Sequence, residues 1–359
     1  MDLANAAAGA GFTLVELLLA ATLTALLAAL VLATVAGVMS HWNRTEGRLS
    51  AAADARLGLD QLAQDLQAAV FRADGNVWLA AAVLPDASLS GQWHGASAAT
   101  QGKPGNTHSG TLNLAASAVN ASRFGVAGVW LRFFTTKTDT NASAADLSAP
   151  VAVGYQIIRQ NVTSSATAEQ RYMLFRAEVR RTKTAGGAAG TFEAGYDLDP
   201  AAAPATAYMT PNATAGDPGN LGRPPLGSAL VDNVIDFGVR LYVREGGNLR
   251  IVFPAAPAPL GGAPAGGTST AAVPPSSETQ HLARSASRAS NDYYRHVFPE
   301  VADVMIRVLD GEGARLLAAY EAGRLHPPAG VSAADYWWML AEAHSQVFTR
   351  RVAISSRPL

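Results

Sequence analysis

Phe12–Met39 reads FTLVELLLAATLTALLAALVLATVAGVM, and the fold follows from how this stretch can meet its surroundings. Its single ionisable residue is Glu16. The uncharged run Leu17–Met39 is about 35 Å long as a helix, whereas the hydrocarbon core of a bilayer is about 30 Å thick and needs about 20 apolar residues. No other uncharged window of the chain is both as long and free of proline. The pattern therefore predicts one transmembrane helix over 12–39 and a single-pass protein. A cleavable secretory signal would have an apolar core of roughly 7–15 residues behind a basic start. Residues 1–11, MDLANAAAGAG, hold no Lys or Arg, so the stretch reads as an anchor that stays.

Glu16 is out of place in such a helix. A carboxylate costs a few kcal/mol at the centre of a bilayer and less near its surface. Either it lies at headgroup depth and touches water, or it meets a cation that its own helix does not supply. A neighbouring subunit's free amino terminus would serve, provided the chain is cut just before Phe12. Gly11-Phe12-Thr13-Leu14-Val15-Glu16, followed by the apolar run, closely resembles the processing site of type IV prepilins and type II secretion pseudopilins. The resemblance implies a leader over 1–11 that prepilin peptidase removes after Gly11, a methylated amino terminus at Phe12, and Glu16 as the assembly carboxylate that neutralises a neighbour's amine. It also implies a bacterial inner-membrane location with a cytoplasmic amino terminus and a periplasmic head. One feature departs from the family. Prepilin leaders carry basic residues, this one has none, and Arg44 and Arg48 beyond the helix favour the opposite orientation by the positive-inside rule.

From 40 to 73 the pattern becomes an amphipathic helix continuing into the head. Leu59, Leu62, Leu66 and Val70 recur at three- and four-residue steps, with Arg56, Asp60, Gln64 and Gln67 elsewhere around the axis. No proline precedes Pro85, so this helix and the membrane helix read as one, with Gly37, Gly47 and Gly58 as the places where it could bend. Over 74–359 the helical period gives way to short runs with strand character: Thr111–Ala115, Val129–Thr135, Val151–Arg159, Tyr172–Arg180, Val234–Val243, Leu249–Phe253 and Asp303–Leu309. In Val234–Val243 the residues Ile235, Phe237, Val239 and Leu241 share one face and the other is mostly polar, which predicts a sheet with one wet face. Glu245-Gly246-Gly247-Asn248 reads as a hairpin turn. Segments 200–227 and 254–280, rich in Pro, Ala, Gly, Ser and Thr, are expected to be disordered insertions. Ser332–Ser345 reads as a helix capped by Ser332, with Trp337 and Trp338 as core anchors, and Gln346–Ile354 as a closing strand.

The predicted class is α+β: a long amino-terminal helix, transmembrane then amphipathic, packed on a mainly antiparallel sheet with long insertions. Arg56–Arg72, RLGLDQLAQDLQAAVFR, resembles the helix of J-type minor pseudopilins, and Val231–Tyr242 with Phe298–Leu309 is similar to their paired late strands. The resemblance implies a structural subunit whose partners are other pilin-like or pseudopilin subunits, prepilin peptidase, an inner-membrane assembly platform and the lipid bilayer. The alternatives are a minor pilin of a type IV pilus and, from another class, a membrane-anchored periplasmic enzyme or binding protein.

Composition narrows the chemistry further. The 359 residues include 27 Lys plus Arg against 28 Asp plus Glu, and the basic residues are scattered, so no nucleic-acid partner is expected. Cysteine is absent, which excludes thiol catalysis, disulfides and zinc–cysteine sites. No G-x-S-x-G, H-E-x-x-H or Walker lysine loop occurs. Gly311-Glu312-Gly313 lacks the third glycine of a dinucleotide loop and reads as turn chemistry after Leu309. The histidines show no metal-ligand spacing, and Asp197 and Asp199 lack the flanking acceptors of a calcium loop. No catalytic residues, no cofactor and no metal are expected.

Overall fold

The computed structural model describes residues 13–83, 129–136, 150–162, 170–179, 181, 190–199, 202, 221–222, 224, 226–253, 280–284, 296–331, 333–355 and 357–358. The chain divides into two units, Met1–Leu49 and Ser50–Leu359. Helix α1, Leu14–Gln67, is 54 residues long and unbroken. In the first unit it is exposed throughout its apolar length, and Leu14–Met39 is long and apolar enough to cross a membrane. In the second unit its face turns inward. Ala51, Ala55, Leu59, Leu62, Ala63 and Leu66 are buried, while Arg56, Asp60, Gln64 and Gln67 are exposed. That is the expected stripe, cut shorter than expected. The helix stops at Gln67 rather than near Arg72, and Val70–Phe71 is instead strand β1. β1 runs parallel to the final strand, with Val70 opposite Arg357, and Phe71 packs its ring 4.9 Å from that of Phe298. Gly58 is no bend. A Cβ there would sit 2.5 Å from the Val231 side chain, so the glycine lets the helix approach the chain closely.

Strands β2 (Leu79–Val83), β3 (Val129–Thr135), β4 (Val151–Asn161), β5 (Gln170–Glu178), β6 (Ala229–Asp232) and β9 (Gln280–Ala283) form a six-stranded sheet in the order β6-β5-β4-β3-β2-β9. Strands β7 (Val234–Glu245), β8 (Asn248–Phe253), β10 (Val301–Leu309) and β11 (Ser345–Ala353) form a second sheet, β11-β10-β7-β8. Every pairing in both sheets is antiparallel. The only parallel pair described is β1 with β12, Arg357–Pro358. The class α+β with an amino-terminal apolar helix and antiparallel sheets thus holds. The two late segments pair as expected, Val301 opposite Tyr242 through Val308 opposite Val234. The Gly246-Gly247 turn joins β7 to β8 with φ of 55° and 87°, values that glycine adopts without the clash a Cβ would make.

Several expectations need correcting. The second face of β7 is wet only toward its far end: Val234 to Val239 are all buried, Asp236 included, whereas Arg240 and Tyr242 are half-buried and Arg244 is exposed. Its polar residues on the second face find opposite charges in register, Asp236 across from Arg307 and Arg240 across from Asp303, which in turn faces Arg351. Cross-strand pairs of opposite charge stabilise such a face. Asp303 takes two bonds from Arg351, at 2.6 and 2.7 Å, and these hold its carboxyl below the usual range. Leu79–Val83 gave no strand signal because LAAAV neither alternates nor favours strands. Yet Leu79 to Ala82 are buried between β3 and β9. Segment 200–227 is not uniformly loop-like: Leu221 is fully buried beside Gly154, and Leu226–Ser228 forms a 3-10 turn. Gln280, at the end of the second low-complexity segment, opens β9. Apart from Ala202, Gly222 and Pro224, the remainder of both segments, the expected strand Thr111–Ala115 and the Ser332 cap lie outside the described residues.

Thr191–Ala194 forms a short helix, α2, and Gly311-Glu312-Gly313 opens a longer one, α3 (Gly311–Glu321), instead of a turn. Asp310 caps it by accepting from the Gly313 N–H at 2.7 Å. Gly313 is required because a Cβ there would lie 2.4 Å from that of His344. Helix α4, Ala333–Ala343, buries Trp337 and Trp338 as expected, and β11 follows as the closing strand.

β6 and β7 are one strand bent at Asn233, which has φ 57° and carries the chain from one sheet to the other. The left-handed conformation costs an ordinary L-residue about 1–2 kcal/mol and Asn less. Asn233→Val should lose about that much stability in urea denaturation, and Asn233→Gly should stay near the parent.

Candidate functional site

The expected site is the start of α1. Gly11 and Phe12 lie outside the described residues; Glu16 is in the first turn. Thr13 stands just before the helix and its carbonyl accepts the first helical bond, from Leu17 N–H at 3.2 Å. The Glu16 Oε2 accepts from the Thr13 backbone N–H at 3.0 Å and from its hydroxyl at 3.0 Å, while the Glu16 N–H donates to Thr13 Oγ1 at 3.3 Å. This reciprocal arrangement is a capping box. It satisfies a helix N–H that hydrocarbon would leave bare. Its signature, Thr-x-x-Glu ahead of an apolar run, is legible in the sequence, and reading Glu16 only as a charge passes over it. No bond to Oε1 is made among the described residues. Farther along, Thr22, Thr24 and Thr34 return their hydroxyls to carbonyls three or four residues back at 2.7–2.9 Å, so these hydroxyls are paired within the helix.

The head contains a second polar cluster that periodicity gave no sign of. Asp65 lies among the helix's buried residues with no exposure. Its Oδ2 accepts from the Tyr155 hydroxyl at 2.5 Å and from Arg176 Nε at 2.6 Å. Its Oδ1 accepts from Gln61 at 3.3 Å, and its backbone carbonyl accepts from the Thr135 hydroxyl at 3.1 Å. Arg176 also reaches Glu178 at 2.6 Å. Burial and the nearby carboxylate push the Tyr155 hydroxyl well above its ordinary value, so it remains a donor. Three strands, β3, β4 and β5, are thereby tied to one turn of α1. On the outer side of the helix, Asp60 pairs with Arg350 of β11.

Asp197 and Asp199 act in the backbone of the head. Asp197 Oδ1 accepts from Val77 N–H at 3.1 Å and Asp199 N–H at 2.9 Å, and Asp199 pairs with Arg284 at 2.8 Å. No group of three or more His, Asp or Glu residues that could hold a metal occurs among the described residues. A cleft between α3 and β5 contains Arg171, Tyr172, Asn233 and Glu321. There Glu321 Oε1 accepts both the Tyr172 hydroxyl at 2.6 Å and the Trp337 indole N–H at 2.9 Å. The carboxylate locks α4 onto the sheet. The Arg132 guanidinium lies 4.1 Å above the Trp130 ring, and burial lowers its pKa to about 9. No protein-family model, no curated protein and no solved structure matches this chain.

Two predictions follow from these geometries. Asp65→Asn removes the charge that compensates a largely buried Arg176, and should cost about 3 kcal/mol. Tyr155→Phe should cost about 1–2 kcal/mol, and the double variant should lose less than the sum, all read by urea denaturation. The other concerns His281, buried and bonded through Nε2 to the Val297 carbonyl at 2.9 Å. Burial lowers its pKa from 6.5 to about 4. Between those values the unfolded chain binds a proton that the folded chain refuses, so stability is full above pH 6.5 and declines as the pH falls toward 4. The loss amounts to about 3 kcal/mol at the acid end. His281→Gln should flatten the fall in stability between pH 7 and 4.5.

Proposed function

We propose that this chain is a structural, pilin-like subunit, cut after Gly11 by a prepilin peptidase, methylated at Phe12 and assembled into a type II secretion pseudopilus or a similar filament. The observation that carries this reading is Glu16. It is the one ionisable residue within 12–39, set at the first turn of the helix and preceded by the Gly-Phe-Thr-Leu-Val sequence of a prepilin cleavage site. Its Oε2 is engaged by Thr13, and Oε1 is the atom left for an incoming amine. Cleavage places a positive amine at Phe12. In hydrocarbon each of these charges alone is costly, and together they neutralise one another. Pairing Glu16 of one subunit with the Phe12 amine of the next therefore fixes the register of packed helices.

Anchoring by α1 puts the subunit in the inner membrane, with its head on the periplasmic side and an assembly platform as the machine that draws it into the filament. The extended packing of Asp65, Glu321 and the paired sheets supports a head that works as a rigid building block. Mass spectrometry of the protein purified from its native membrane should find a chain beginning at methylated Phe12; an intact leader overturns the proposal. Glu16→Ala should still insert and be cleaved, yet fail to co-purify with filament partners. Normal assembly of that variant would remove the role of the carboxylate.

A further inference from the structure

The described tryptophans fall into two groups. Trp78, Trp130, Trp337 and Trp338 are 1–5% exposed, whereas Trp42 is 71% exposed. An indole is a large apolar body with one N–H donor, costly to leave in water and awkward to bury in hydrocarbon. Trp42 stands where the apolar span gives out: after Met39 the sequence turns to Ser40-His41-Trp42-Asn43-Arg44-Thr45-Glu46, and Thr45, Glu46 and Arg48 are exposed. The inward face of the head does not begin until Ala51. A tryptophan at this point of a membrane helix matches the aromatic belt of a bilayer, where the ring meets acyl chains and the N–H meets headgroup oxygens and water.

Distance along α1 adds a second argument. Glu16 and Trp42 are separated by about 39 Å of helix, close to the roughly 40–45 Å of a bilayer with its headgroups and longer than its roughly 30 Å core. One helix can thus hold both polar-ended side chains at opposite surfaces with the uncharged, mainly apolar run Leu17–Met39 between them. Resting on the membrane-anchored reading above, we infer that Trp42 is the interfacial anchor of the span, seated among lipid headgroups on the head side, and that it sets the depth at which Glu16 waits at the other surface. In the resting subunit the Glu16 carboxylate is hydrated at the membrane edge. Moving the subunit toward the head side draws that carboxylate into hydrocarbon and lifts Trp42 out of the headgroups, so the indole resists extraction until a neighbour's amine is in place.

The test uses the full chain, labelled with 5-fluorotryptophan and reconstituted in phosphatidylcholine vesicles, with the Trp42 fluorine resonance assigned through Trp42→Phe. Three relaxation probes are compared: a nitroxide on the lipid headgroup, a nitroxide at the acyl-chain end and a water-soluble gadolinium chelate. The inference expects the headgroup nitroxide to broaden the Trp42 resonance several-fold more than either other probe, with the buried tryptophans as internal references. Broadening mainly by the soluble chelate overturns it and puts Trp42 on a hydrated stalk. Resistance to all three overturns it in favour of a second helix covering the ring. A chain that does not float with the vesicles defeats both the anchor and the membrane reading, whereas a misplaced Trp42 in an inserted chain leaves the prepilin reading standing.

Discussion

Hydrocarbon left exposed among the described residues is the constraint on which the rest depends. Leucine, valine and alanine side chains from Leu14 to Met39 stand exposed on α1, and the helix satisfies its own backbone along that length. An isolated helix of this kind is unfavourable in water and stable in a bilayer, because lipid cannot bond to peptide groups and does not need to. The same continuous helix then changes surroundings. From Ala51 its small and branched apolar residues are buried in the head. One element therefore answers to two environments, and its sequence changes from uniformly apolar to amphipathic accordingly.

Each environment admits one carboxylate on α1 that breaks the pattern, and the two are handled differently. Glu16 is exposed and takes its bonds from the adjacent Thr13, a local solution that any chain with Thr-x-x-Glu can make. Asp65 is fully buried and takes its bonds from Tyr155 and Arg176, 90 and 111 residues further along the chain. A buried charge is tolerated only when its partners arrive in place, so the Asp65 cluster ties the correct docking of α1 to the correct register of β4 and β5. Misregister of either strand would strand the carboxylate without partners.

The expected strands show how far local pattern reaches. Val129–Thr135 and the Gly246-Gly247 hairpin were legible because β-branched and aromatic runs bounded by turn residues leave few other choices. The buried helix stripe was legible for the same reason. Leu79–Val83 was not, since alanine carries almost no preference and the strand exists because β3 and β9 flank it. α3 was missed because Gly311 and Gly313 are poor helix formers. The Asp310 cap and the lack of space beside His344 decide the matter. The second face of β7 looked wet because Asp236 and Arg240 are polar, and only the register with Arg307 and Asp303 shows their charges matched.

What the sequence determined alone is the membrane-length helix, its sole charge at Glu16, the stripe that follows and most of the strands, all consequences of side-chain order over a turn or two of backbone. Tertiary structure decided which polar residues go inside, where the chain changes sheet at Asn233, and why Gly58 and Gly313 must lack side chains. The reason is one of range. Periodicity is a property of neighbours along the chain, while the free energy of a buried carboxylate or a close backbone approach depends on groups that only folding brings within a few ångströms.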